Sequence, residues 1–341
     1  MDPISYTTVE QQLNKLTSQK LIIENISFAR DALNTYGYSN LIKSYRDPYV
    51  ITSDNKKVYR SDVTFDQIYS LYILDKNLRN AVMATMLDLE EYVKENAASV
   101  LAASFGTHQN DYLNYKNYRN KKKTKKRFSL SGILKTMNET LATDKNPIHH
   151  YNTVHGIVPP WILFKSVYFS TIVNFIDLFK VHEQEELVKK LYDVNAMKLS
   201  MESLRKLMMD TLFICLEYRN LAAHGSRIYN HVCSKRLRVE EIFGSSFQAR
   251  LEGFSQLLFL LNLFKYADPY NFLKNALDQE VDRHCSAYPQ DITYLGQILN
   301  MNIVARNLVY FSDSSNKFHT NPHCSGIKNV HECERKDAEA A

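Results

Sequence analysis

The stretch T-F-D-Q-I-Y-S-L-Y-I-L-D-K-N-L-R, at residues 64–79, decides the fold class together with the residues that follow it. Thr64 and Gln67 have the spacing of a capping box, which marks the start of a helix. Apolar side chains then recur at helical spacing until Gly106, which is expected to end the helix. The stretch therefore predicts one long helix from Thr64 to about Ala103, with its apolar side at Ile68, Leu71, Tyr72, Leu78, Val82, Met86, Leu89 and Val93.

The same helical period dominates on both sides of this stretch. Glycine (9) and proline (8) are scarce among the 341 residues, so few tight turns are available. No convincing strand series is present, and residues 49–63 read as a polar loop. We predict an all-α fold, with further helices that begin near Val9, Ile26 and Trp161 and that cover 183–192, 203–223, 246–266, 270–283 and 291–311.

Composition is ordinary for a soluble globular protein, with 45% hydrophobic residues and a net charge of +5. The first ten residues are polar and acidic, unlike a signal peptide, and the apolar stretches are too short or too interrupted to cross a membrane. Five scattered cysteines do not suggest a disulfide framework. We expect a cytoplasmic protein without a membrane segment.

Positive charge is concentrated in one segment, within a loop predicted at residues 107–130. K-N-Y-R-N-K-K-K-T-K-K-R, at 116–127, has eight basic residues in twelve, and no acidic residue occurs between Asp111 and Glu139. Such a block is either a solvated loop or a phosphate-binding arm, aided by neighbouring tyrosines that can stack on bases. The candidate RNA-binding residues are Lys116, Arg119, Lys121, Lys122, Lys123, Lys125, Lys126 and Arg127.

The segment Y-R-N-L-A-A-H-G-S-R-I-Y-N, at residues 218–230, combines groups that can cleave RNA without a metal. His224 can transfer protons near neutral pH, and Arg219 can stabilise the charge of the reacting phosphate. Asn220 is suited to orient the imidazole or to bind the phosphate. Arg227 and Asn230 are weaker candidates for binding a neighbouring phosphate.

Helix geometry constrains how Arg219 and His224 can act together. On an ideal helix the two residues are ~140° apart around the axis and ~7.5 Å apart along it. They can therefore act together if the helix breaks at Gly225, if a second protomer completes the site, or both. The spacing is equally compatible with structural roles, in which Arg219 is paired within the fold and His224 only ends a helix.

The pattern R-N-x-x-x-H-G-x-R-x-x-N, at residues 219–230, resembles the signature of the Abi-like (abortive-infection) family of bacterial phage-defence proteins, within the HEPN superfamily of helical ribonucleases. Further segments resemble family landmarks in the same order, at residues 33–45, 64–79 and 159–169. The chain departs from the family pattern at Gly225 and at Lys94, where arginine is expected.

The resemblance implies a HEPN-like helical bundle that acts as an endoribonuclease toxin in phage defence and is usually a homodimer. It makes Arg219 and His224 the catalytic pair, with Asn220 beside them. RNA is the implied substrate, and a small inhibitory non-coding RNA is a further implied partner. The corresponding segments are an N-terminal helical segment at 1–63, the HEPN-like domain at 64–235, C-terminal helices at 236–311 and a tail at 312–341.

We expect neither a cofactor nor a metal. The tail resembles part of a small Cys/His module and carries His319, His323, Cys324 and Cys333, which have the chemistry of zinc ligands. Their spacing matches no standard site, so a short irregular tail is expected instead. Two other functions stay open, namely a non-catalytic RNA-binding protein that uses residues 116–127 and a helical scaffold that recruits a partner protein.

Overall fold

The computed structural model describes residues 5–53, 56–247, 251–303, 308–312, 317–319 and 331–335. The described chain is mainly helical, which confirms the predicted fold class. Its α-helices are α1 (Val9–Ser18), α2 (Ile26–Tyr36), α3 (Phe65–Phe105), α4 (Gln109–Tyr112), α5 (Leu130–Leu141), α6 (Ile148–His150), α7 (Pro160–Lys165), α8 (Phe169–Ile176), α9 (Val181–Leu191), α10 (Val194–Met197), α11 (Met201–Ala223), α12 (Val239–Phe243), α13 (Gly253–Leu261), α14 (Asp268–Ala287) and α15 (Ile292–Leu299).

Short 3-10 and π turns connect several of these helices. The 3-10 turns are Asp47–Tyr49, Tyr115–Asn117, Lys126–Phe128 and Pro289–Asp291, and the π turns are Ser39–Lys43 and Tyr151–His155. The strands are β1 (Val50–Ser53), β2 (Lys56–Tyr59), β3 (Leu308–Phe311) and β4 (His331–Glu334).

Helix α3 follows the prediction from the sequence closely. The amide of Gln67 donates to Thr64 Oγ1 at 3.1 Å, which caps the first turn. Every apolar residue of the predicted stripe is buried. Gly106 follows the helix with φ of +86°, a conformation that glycine adopts without strain.

Two sequence predictions are wrong in a similar way, because strands occur where a loop or a helix was expected. The predicted polar loop at 49–63 contains the antiparallel hairpin of β1 and β2, with Val50 opposite Tyr59. The predicted helix at 291–311 ends at Leu299, because Asn300 adopts a left-handed conformation that asparagine tolerates. The chain then forms β3, which pairs with β4.

The contacts divide the chain into two compact units. The first unit comprises residues 1–79, 227–230 and 275–341, and the second comprises 80–226 and 231–274. Within the second unit α11 is surrounded by α8, α9, α12 and α13. Its residues are almost all buried from Leu207 to Leu216, so burial fixes the orientation of the more exposed turns that follow.

Among the described helices, none combines the length and the apolar character that a membrane span requires.

Candidate functional site

The end of α11 presents His224 to solvent. The helix ends at Ala223, and His224 is the residue that follows the last turn. Gly225 has φ of +67°, and the amide of Ser226 donates to the Leu221 carbonyl at 3.0 Å. This is the glycine-terminated helix end in which the chain reverses sharply. The turn therefore fixes the backbone of His224 just outside the helix, where the residue is exposed.

Arg219 lies beside Glu90 of α3. Its Nε is 4.0 Å from Glu90 Oε2, and the arginine side chain is only 28% exposed. Both atoms are buried without a hydrogen-bond partner among the described residues. The other oxygen of Glu90 pairs with Lys94 Nζ at 2.7 Å. The motif arginine thus lies against an acidic side chain that was not singled out from the sequence.

Asn220 and His224 line one surface cavity of about 340 Å³. Arg219 does not contribute to its wall. The structure therefore brings together two of the three predicted catalytic residues and places the third against α3. The cavity is lined by Phe213, Leu216, Glu217, Asn220, Leu221, His224, Ser226 and Ser234.

A second cavity of about 310 Å³ lies beside the first. The two share Phe213, Leu216 and Asn220 in their walls. The second cavity adds Lys123, Lys125 and Arg127 of the basic segment, with Phe128, Ser170 and Asn174. We call the two cavities together the α11 groove, which extends from the basic segment to His224.

Asp177 anchors part of the basic segment. Lys121 and Lys123 pair with its carboxylate, and the guanidinium of Arg119 donates to its backbone carbonyl at 2.8 Å. These contacts fix the backbone of the segment on the second unit. The predicted RNA-binding residues Lys121, Lys123 and Arg119 therefore also have structural partners.

The remaining basic side chains are exposed. Lys116, Lys122, Lys125 and Lys126 have no acidic partner among the described residues, and Arg127 packs over the ring of Phe128 at 4.6 Å. An anchored backbone that presents unpaired cations is a suitable surface for a phosphate chain.

The last residues of the motif belong to the first unit. Arg227 is exposed and donates to the Ser44 carbonyl at 2.6 Å, and Asn230 is half-buried. Between them the amides of Ile228 and Tyr229 donate to Asp75 Oδ1 at 2.9 and 2.8 Å. Arg227 thus has a backbone partner within its own unit.

Asp75 was missed from the sequence, although it falls on the apolar stripe of α3 between Leu71 and Leu78. It is fully buried and also accepts from the Tyr45 hydroxyl at 2.5 Å. Burial raises the pKa of the Asp75 carboxyl, and the bonds from Tyr45, Tyr229 and Ile228 oppose that rise only in part. An acidic residue inside an apolar stripe was the signal that a buried polar contact existed.

Within the described chain, one group of side chains is close enough to hold a metal. Oxygen, nitrogen and sulfur atoms of Glu217, His231 and Cys233 lie within 4.8 Å of one another. Four tail residues were candidate zinc ligands from the sequence. His319 and Cys333 belong to no such group among the described residues, and His323 and Cys324 lie outside the described residues.

These features define a helical protein in which an arginine–asparagine–histidine motif ends a buried helix beside a groove with a basic rim. The sequence matches the family model described as Abi-like protein over residues 31–230. The chain belongs to the Abi-like protein family, which links it to abortive infection, a form of phage defence. No curated protein and no solved structure matches it.

Proposed function

We propose that the protein is an endoribonuclease of phage defence that cleaves RNA through the attack of a 2′-hydroxyl. The observation that carries the proposal is the α11 groove, which connects the basic segment with the exposed imidazole of His224. A phosphate chain that binds Lys125 and Arg127 can follow the groove past Asn220 to His224. Family membership independently associates the chain with abortive infection.

The walls of the groove have the composition expected for single-stranded nucleic acid. Cations line one end, where phosphates are attracted, and Phe213 offers a partly exposed ring for stacking on a base. Asn220 is exposed at the centre and can donate to a phosphate oxygen. Binding of a single strand leaves the ribose 2′-hydroxyl free to react.

In the proposed reaction, one histidine takes the proton of the 2′-hydroxyl, whose oxygen attacks the neighbouring phosphorus. The bond from phosphorus to the 5′-oxygen then breaks, and an acid donates a proton to that oxygen. The products are a 2′,3′-cyclic phosphate and a 5′-hydroxyl. A guanidinium stabilises the additional negative charge of the phosphorane.

The proposed active unit is a homodimer, because one protomer offers the groove a single motif histidine. A second protomer related by a two-fold axis would supply the second imidazole. Arg219 acts in this proposal after its side chain leaves Glu90, to which it has no direct hydrogen bond at 4.0 Å. The proposal therefore requires that bound RNA draws the Arg219 side chain away from Glu90.

The test uses purified full-length protein and a short single-stranded RNA, in EDTA to remove free Mg²⁺. We expect fragments that end in 2′,3′-cyclic or 3′-phosphate on one side and in 5′-hydroxyl on the other. A matched RNA with one 2′-deoxyribose at the mapped cleavage position should resist cleavage there. Cleavage that continues at the deoxyribose would exclude attack by the 2′-hydroxyl.

A non-catalytic RNA-binding protein is the alternative that the basic segment supports. It predicts retention of RNA, with an affinity that falls steeply as salt increases, and no cleavage products from any substrate. The same experiment separates the two functions, because bound and cleaved RNA are measured in one reaction.

A further inference from the structure

We propose that Glu217, His231 and Cys233 form a binding site for one zinc-class metal ion, which ties the segment after the motif to α11. This site lies in the second unit, and none of its three side chains takes part in the proposed cleavage step. The proposal does not depend on RNA cleavage, because it rests on the three side chains and their surroundings alone.

The three side chains offer a nitrogen, an oxygen and a sulfur from two adjacent pieces of chain. Glu217 belongs to the exposed side of α11, and His231 and Cys233 follow the motif. His231 Nε2 is 2.8 Å from Glu217 Oε1, and all three ligand atoms lie within 4.8 Å of one another. Tetrahedral zinc with bonds of about 2.0–2.3 Å places its ligands about 3.3–3.8 Å apart. Shifts of about 1 Å would therefore convert the cluster into a metal site.

The charges of the cluster favour a cation. Glu217 accepts hydrogen bonds from Ser234, His231 and the Lys235 amide, and its carboxylate supplies negative charge to the cluster. A metal ion binds cysteine as the thiolate, so binding at this cluster would release the Cys233 proton.

Glu217 is already held in the orientation that a ligand needs. Its Oε2 accepts from Ser234 Oγ at 2.6 Å, and its Oε1 accepts from the Ser234 amide at 2.8 Å. Metal-binding carboxylates commonly have such supporting bonds. Oε1 also contacts His231 Nε2 at 2.8 Å, and a metal ion between the two side chains would replace this contact. The side chains of His231 and Glu217 are each 21% exposed, so water can complete the coordination.

The ligand types select among metals. A thiolate with an imidazole is preferred by zinc and cobalt, whereas magnesium and calcium prefer sites made entirely of oxygen. Among the described residues the cluster offers three protein ligands, so a tetrahedral ion would take water as its fourth ligand. Glu217 and Ser234 also line the α11 groove, so the proposed site lies beside the wall of the groove.

The test titrates Co²⁺ into metal-free protein and records the thiolate-to-cobalt absorption. Because the tail contains His319, His323, Cys324 and Cys333, a Cys324→Ser/Cys333→Ser background removes its thiols. In this background we expect one Co²⁺ per chain, displaced by Zn²⁺ and not by millimolar Mg²⁺. Absence of the absorption, or its displacement by Mg²⁺, would overturn the proposal.

Variants identify the ligands. Cys233→Ser should abolish the absorption, whereas Cys285→Ala, which removes another buried cysteine, should retain it. Replacing a residue that only hydrogen-bonds to a metal ligand lowers metal affinity by about 10–100-fold. Glu217 is itself a proposed ligand, so Glu217→Gln should weaken binding by at least about tenfold. Circular dichroism checks folding, and Glu217→Gln decides the matter if Cys233→Ser does not fold. Unchanged affinity in that variant would contradict the assignment.

The cobalt titration and the RNA cleavage experiment test the two proposals separately. Metal content is measured on the protein, and product ends are measured on RNA, so either proposal can fail while the other is supported.

Discussion

At the residue scale, the surroundings of Arg219 depend on a residue outside the motif. The sequence left open whether Arg219 is paired within the fold, and the structure places Glu90 beside it. The identity of that partner could not be predicted, since Glu90 is distant in sequence and its own helix pattern only indicates a pair with Lys94. Pairing across elements depends on tertiary packing, which no local pattern encodes.

Asp75 is expected to be a major determinant of stability in the first unit. Replacement of Asp75 by alanine leaves the Tyr45 hydroxyl and the amides of Ile228 and Tyr229 buried without an acceptor. Each unsatisfied group costs about 1–3 kcal/mol, so we expect a loss of at least about 3 kcal/mol in the free energy of unfolding. Urea unfolding of Asp75→Ala and of the exposed control Asp62→Ala measures this. Equal stability of the two variants would refute the role of Asp75.

Asp291 is expected to make the first unit sensitive to acid. It is buried and accepts from Tyr49 at 2.7 Å and from Gln67 and His284 at 3.0 Å. Burial alone would raise the pKa of Asp291, but these partners lower it below 3.8. A lowered carboxyl pKa stabilises the fold above 3.8, and this contribution is lost as the pH falls through the folded-state pKa.

The acid sensitivity can be measured as the slope of unfolding free energy against pH. Asp291→Asn should be less stable at neutral pH and should show a shallower decrease of stability below pH about 4, because the titrating group is gone. An identical slope in the wild type and in Asp291→Asn would show that Asp291 does not contribute.

At the element scale, the sequence predicted the elements that have a clear helical period and failed where the pattern is short. Helix α3 was predicted within two residues at either end, because eight apolar positions and both ends agree. The hairpin of β1 and β2 was not predicted, since its strands have four residues each and include several polar side chains. Strand β3 was assigned to a helix because the break at Asn300 was not recognised.

The basic segment was found from its composition, but its place beside α11 was not. The sequence left open whether residues 116–127 are only solvated or bind phosphate. Lys121 and Lys123 proved to pair with Asp177, and Lys123, Lys125 and Arg127 line the groove. These contacts are long-range and therefore could not be read from the charge pattern.

Charge reversal in the basic segment should weaken RNA binding and preserve the fold. Lys122, Lys125 and Lys126 are exposed and have no acidic partner in the described chain, so their triple replacement by glutamate removes no structural contact. The affinity for single-stranded RNA should fall, and its dependence on salt should become shallower by roughly 0.7 per lost contact.

A matched control for this experiment is glutamate at Lys145, Lys190 and Lys198, which are exposed, line neither cavity and also lack an ion pair with any described acidic residue. Fluorescence anisotropy at several salt concentrations measures both triple variants. Equal binding by the two would show that net charge, rather than the basic segment, attracts RNA.

At the scale of the whole molecule, the proposed dimer has a consequence for mixed assemblies. If each active site requires His224 from both protomers, a dimer with one His224→Ala chain is inactive. Co-expression of equal amounts of wild type and His224→Ala should then leave about a quarter of the activity, because random pairing makes about a quarter of dimers fully wild type. Activity of about one half would indicate that each protomer cleaves alone.

The central claim, that the motif at the end of α11 cleaves RNA, is tested most directly by comparing motif variants with matched variants outside the motif. Cleavage of one RNA by His224→Ala and Arg219→Ala is measured beside His182→Ala and Arg60→Ala, whose side chains are exposed and line neither cavity. Loss of a proton-transfer group typically reduces the rate by about 10²–10⁴-fold, and loss of one group that stabilises transition-state charge by about 10²–10³-fold. We expect losses of this size in both motif variants, with RNA binding retained, and wild-type rates in both controls. Cleavage at the wild-type rate by both motif variants would contradict the assignment of the active site.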